Sequence, residues 1–88
     1  MEEFLRRIGI NGTLNTSDDG CLVMDIANSD EYGKVLSKLE RCQELEEDED
    51  SSILTYESSS TQFINDKYLV TLIGDLEGDT YKLTIKEL

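Results

Sequence analysis

Between Glu44 and Asp50 the chain reads ELEEDED, six carboxylates in seven positions with only Leu45 among them. Carboxylates so crowded can exchange protons, hold a hard cation through oxygen, or offer a row of negative charge to a basic surface. The rest of the chain argues against the first. It contains no histidine, which excludes Ser-His, Cys-His and His-metal arrangements. Cys21 follows a turn and Cys42 falls on an apolar helical stripe, the ordinary settings of a structural thiol. Asp18 and Asp19 precede Gly20 and read as turn formers. Gly9 and Gly12 lack the further glycines, lysine and hydroxyl of a phosphate loop. The sequence is therefore read as non-enzymatic, with no catalytic residue and no cofactor.

Calcium is the second chemistry. DEDSSILTYESS, from Asp48, places acids at loop positions 1 and 3 and Ser52 at 5, but Ile53 replaces the glycine at 6 and Ser59 the bidentate glutamate at 12. DLEGD alternates Asp75, Glu77 and Asp79, and as a hairpin loop it needs no ion to explain it. No metal ligand set is assigned.

The third chemistry depends on the elements that would display the acids. Met1, Phe4, Leu5 and Ile8 share one face of a short N-terminal helix, with Glu2 and Glu3 at its favourable end. Ile8, Ile10 and Leu14 at even spacing, the turn TSDDG (16–20) and the alternating CLVMDI (21–26) predict a hairpin. Asn28 can cap a helix over 29–44, with Glu31 completing a capping box, and Tyr32, Val35, Leu36, Leu39 and Cys42 form its apolar stripe. Lys34, Lys38 and Arg41 make a solvated cationic ridge on its far side. The segments 52–58, 61–65, 67–74 and 80–87 are rich in β-branched and aromatic residues and read as strands. SSS (58–60) and DLEGD (75–79) then read as hairpin turns, and Asn65-Asp66 as a tight turn or a bulge. In the last strand Tyr81, Leu83 and Ile85 alternate with Lys82, Thr84 and Lys86, as in a sheet covered on one face by a helix.

The expected fold is α+β: an antiparallel sheet of about five to six strands packed on one face by one main helix, with a short N-terminal helix. Residues 1–88 form one domain, since half this length buries too little apolar surface to fold by itself. The acid run is read as a connection between the helix and the strand from 52, either a contact surface or only a solvated loop. It does not help the helix before it, because exposed carboxylates at a helix C-terminus oppose the macrodipole by roughly 0.3–1 kcal/mol each.

Twenty acids against eight bases leave a net charge of -12, which repels DNA, RNA and anionic membranes. The longest nearly apolar run, YLVTLIG (68–74), is far short of the roughly 20 residues that cross a bilayer as a helix. Two cysteines are too few for a disulfide scaffold, and no signal peptide is read at the start; a cytoplasmic protein with free thiols is expected. A compact chain of 88 residues has a radius of gyration of about 12 Å and a diameter of roughly 30 Å. Duplex DNA of that length carries roughly 18 charges. Extended, residues 44–50 would space their carboxylates about every 3.3 Å, near the axial spacing of phosphates on one strand, with alternate side chains pointing opposite ways.

In size, acidity and α+β build, and in the run ELEEDED, the chain resembles the small phage- or mobile-element-encoded inhibitors that mimic DNA, including anti-CRISPR and anti-restriction proteins. That resemblance is to a class and carries no residue correspondence. It implies a non-enzymatic inhibitor whose partner is a protein with a basic nucleic-acid-binding surface, such as a host defence nuclease. Glu44, Glu46, Glu47, Asp48, Glu49 and Asp50 would be its principal contacts, and Asp75, Glu77 and Asp79 secondary ones. The alternative is a general protein-interaction module with a solvated acidic loop, its contacts made by an apolar sheet or helix edge.

Overall fold

The computed structural model describes residues 2–54, 58–75 and 77–88, the side chains of 49–54 lying outside that description. Among the described residues two helices and six strands follow in the order α1 (Glu2–Arg7), β1 (Leu14–Thr16), β2 (Leu22–Ile26), α2 (Ser29–Arg41), β3 (Glu46–Leu54), β4 (Ser58–Ile64), β5 (Tyr68–Asp75) and β6 (Thr80–Glu87). The strands form one antiparallel sheet in the order β1-β2-β6-β5-β4-β3, which confirms the α+β class.

The period of two along the strands decides which face is covered. Tyr81, Leu83 and Ile85 of β6, Val70 and Leu72 of β5, Phe63 of β4, and Met24 and Ile26 of β2 are buried on one face. Phe4 and Leu5 of α1, with Val35 and Leu39 of α2, close over that face and complete the core. Gly74 allows α2 to come close. A Cβ there would lie 3.3 Å from both Tyr32 and Tyr81, whose rings pack with centroids 5.1 Å apart. The Tyr32 hydroxyl shares a hydrogen bond of 2.8 Å with Ser59 Oγ, joining α2 to β4.

Asn28 caps α2 as expected, its Oδ1 accepting from the Glu31 amide at 2.9 Å. The Glu31 carboxylate instead receives Lys34 Nζ at 3.3 Å. The helix ends at Arg41 rather than at 44: Cys42 leaves helical geometry and the Leu45 amide bonds the Cys42 carbonyl, a turn that drops Leu45 into the core. Lys38, expected in a solvated ridge, donates to the Gly9 carbonyl and ties α2 to the end of α1, where Gly9 takes a φ of 87°. The first hairpin is shorter than the spacing suggested. Ile8 and Ile10 lie outside β1, and Ile10 is buried just after α1 with its amide on the Leu5 carbonyl.

Two further expectations are corrected. The acid run is not a loop, because Glu46 through Asp50 form the first half of β3. Serines 58–60 are not a turn, because they open β4. Both errors have one cause: local composition disfavours a strand at each segment, and pairing across the sheet overrides it. At an edge, charged side chains project into water while the backbone takes its hydrogen bonds from a single neighbour. The expected strand over 52–58 is described as far as Leu54, and residues 55–57 lie outside the described set. Asn65-Asp66 is a tight turn, with Asn65 Oδ1 accepting from the amides of Lys67 and Tyr68.

Candidate acidic interaction surface

Leu45 anchors the run. It is 7% exposed, and the strand that follows pairs Glu46 with Ile64, Glu47 with Phe63 and Asp48 with Gln62. Directly opposed residues share a face, so Glu47 stands on the rim of the helix-covered side with Phe63. Glu46 and Asp48 stand on the open side with Ile64 and Gln62. The acids are thus split between both sides of an edge strand, the alternation that an extended run imposes.

The pairing then shifts. Five steps from Asp48 to Ile53 face only two from Gln62 to Ser60, an irregularity of three extra residues. Charge and irregularity together keep an exposed edge from pairing with another chain, so they also protect the fold from aggregation. The side chains of Glu49 and Asp50 lie outside the described residues.

Glu44 stands apart from the others, because its carboxylate receives Arg7 at 2.7 Å and part of its charge is neutralised within the chain. Both groups are more than half exposed, so the pair contributes little stability. Asp66, which the sequence marks only as part of a turn or bulge and not as a contact, lines a shallow recess with Glu44 and Glu46 at the β4–β5 turn. The signal for it is the register: once residues 46–48 pair with a strand ending at Ile64, the Asn-Asp turn must lie beside them.

Asp75, Glu77 and Asp79 are at the other end of the sheet. Glu46 is level with Ile64, whereas Asp75 is level with Ser58, so about 20 Å of β4 separates the two groups along the strands. Asp75 Oδ1 accepts from the amides of Glu77 at 3.2 Å and Gly78 at 3.0 Å, while Asp79, at φ 52°, accepts from the Tyr81 hydroxyl at 3.0 Å. That bond, with burial, pushes the Tyr81 phenol up. Two of the three acids are therefore engaged in holding the turn. Among the described residues no three ligand-type side chains are grouped to hold a metal ion.

The first turn shows what the other candidate groups do. Asp19 accepts from Ser17 Oγ and from the Cys21 amide, and these bonds hold its carboxyl below the usual carboxylate range. Burial and neighbouring Asp19 push the Cys21 thiol up. Among the described residues no helix is long and apolar enough to cross a membrane. No protein-family model, curated protein or solved structure matches the chain.

The net charge of -12 is confined to a body with extents of 31 × 27 × 25 Å. Three ion pairs occur among the described residues, Arg6–Glu2, Arg7–Glu44 and Lys34–Glu31, all exposed. Self-repulsion should therefore weigh on the folded state. Raising sodium chloride from low concentration to about 0.5 M is expected to screen it and to stabilise the fold by about 1 kcal/mol, raising Tm by roughly 4–8 °C. Thermal melts followed by circular dichroism check this; a Tm that does not move shows the charges to be too dispersed to matter.

Proposed function

We propose that the protein is a non-enzymatic inhibitor that acts as a nucleic-acid mimic and occupies the basic DNA- or RNA-binding surface of a host defence nuclease or a similar protein. The observation that supports this most is the charge on the β3 edge, where Glu46, Glu47 and Asp48 are carried on extended backbone beside Asp66. The sheet holds their backbone in place. Carboxylates on a rigid strand meet a basic groove with less ordering cost than carboxylates on a loop. The longest extent, 31 Å, would hold roughly 18 phosphate charges of duplex DNA, against the 12 net charges here. Glu46, Glu47 and Asp48 lead the contact set, Glu49 and Asp50 continue it, and Asp66 joins it. Glu44 contributes less because of Arg7, and the Asp75–Asp79 turn belongs to a separate end of the molecule.

The second reading is a protein-interaction module whose acids only protect the sheet edge. The bulged, charged β3 favours it, because edge protection alone accounts for both features. Competition separates the two. A partner captured from host lysate and bound to the protein should be released by duplex DNA or guide RNA, and its affinity should fall steeply with salt. A partner that holds the protein and nucleic acid at once contradicts mimicry.

A further inference from the structure

The sheet face opposite the helices carries no covering element among the described residues, and its composition has a direction. Pairing registers place Lys86 of β6, Leu69 of β5, Ile64 of β4 and Glu46 of β3 in one row across four strands. All four point to the open face, because their neighbours Ile85, Val70, Phe63 and Leu45 are buried on the other. The row begins with a cation, ends with an anion and is apolar between. Lys86 and Glu46 form no ion pair among the described residues of their own chain, and Ile64 is 36% exposed.

We infer that this face is a self-complementary surface that takes a second copy of the chain, face to face about a two-fold axis. An axis parallel to the strands, running above the open face between β5 and β4, lays β6 of one copy over β3 of the other and β5 over β4. Each residue keeps its height along the strands. Lys86 then meets Glu46 of the second copy, Leu69 meets Ile64, and the symmetry repeats each contact once more, as an isologous interface requires. Stacked sheets sit about 10 Å apart and roughly 30° from parallel, a gap that a lysine stem and a glutamate span between them.

The area sets the strength. A patch of about 20 by 20 Å buries roughly 800 Å² in total, below the 1,200 Å² or more of stable complexes, so the dimer is weak. Two copies at -12 each also repel at long range. Salt near 0.5 M shortens the screening length to about 4 Å and removes most of that repulsion while sparing close contacts. Dimer should therefore accumulate as salt rises, the opposite of the salt effect expected for binding to a basic partner.

Sedimentation equilibrium of the full chain in 0.5 M sodium chloride, up to about 1 mM protein, is expected to show a reversible monomer–dimer equilibrium with a Kd of order 0.1–1 mM. Ile64→Asp should weaken it at least about tenfold, by placing charge in the apolar contact beside the two-fold axis. Lys86→Glu alone and Glu46→Lys alone should each weaken it about fivefold, since each sets like charges together, and the double reversal should restore it. These exposed positions let the variants fold, which circular dichroism verifies. A chain monomeric at about 1 mM, a dimer indifferent to Ile64→Asp, or a double reversal no tighter than the singles overturns the inference.

Discussion

Replacing Glu46, Glu47, Asp48, Glu49 and Asp50 together with Gln or Asn is expected to abolish partner binding, weakening it at least about a hundredfold, while the protein stays folded. Binding should collapse because each contact in a mimic is an ion pair with a basic groove, and neutral amides keep the shape without the attraction. The fold should survive because backbone pairing of β3 with β4 does not use these side chains, and removing adjacent like charges relieves repulsion. Anchoring by Leu45 and Phe63 is untouched. Lys34→Gln and Arg41→Gln are suitable controls, expected to leave binding unchanged or tighter, since both are cations on the exposed side of α2. Lys38 is not, because it holds the Gly9 carbonyl and its loss would loosen α1. The measurement is titration of the captured partner with each variant, alongside thermal melts. A neutralised variant that is folded and binds at the wild-type affinity would sink mimicry and leave the acids as protection of an edge.

The second large effect is on stability. Phe63→Ala is expected to cost about 3–5 kcal/mol, because Phe63 is 1% exposed and its removal opens a cavity beneath the helices. A domain of this length has roughly 5–13 kcal/mol in total, so this one change should lower Tm by more than about 12 °C. Ile64→Ala, one position along the same strand, should cost at most about 1 kcal/mol, since its side chain is on the open face. The contrast tests the register directly. Urea denaturation of the two variants reads it, and equal losses would mean that β4 does not face the core as described.

Most of the secondary structure is legible in the sequence. The alternation in Thr80–Glu87 announced both the last strand and its buried face, and the Asn28 cap fixed where the main helix starts, because each signal is local to a few residues. The main helix's C-terminus was not legible. Apolar spacing continued to Cys42, and only the requirement that Leu45 reach the core turns the chain after Arg41. Serines 58–60 looked like a turn because nothing in their own sequence reveals Tyr32 and Gly74, the neighbours that make a polar strand fit.

The sequence by itself determined the α+β class, the net charge of -12 and the concentration of carboxylates between Glu44 and Asp50, since composition and periodicity are properties of the chain alone. The tertiary structure decided what that run is. It is an edge strand because Ile64, Phe63 and Gln62, some 15 residues away, supply its hydrogen-bonding partners, and pairing between distant segments is not written in the composition of either. The fold also decided that Glu44 answers to Arg7, because the turn after α2 brings it beside α1. Strand pairing decided that Asp66 joins the acids and that Asp75, Glu77 and Asp79 stand about 20 Å away, because register, and not distance along the sequence, sets which of these charges act together.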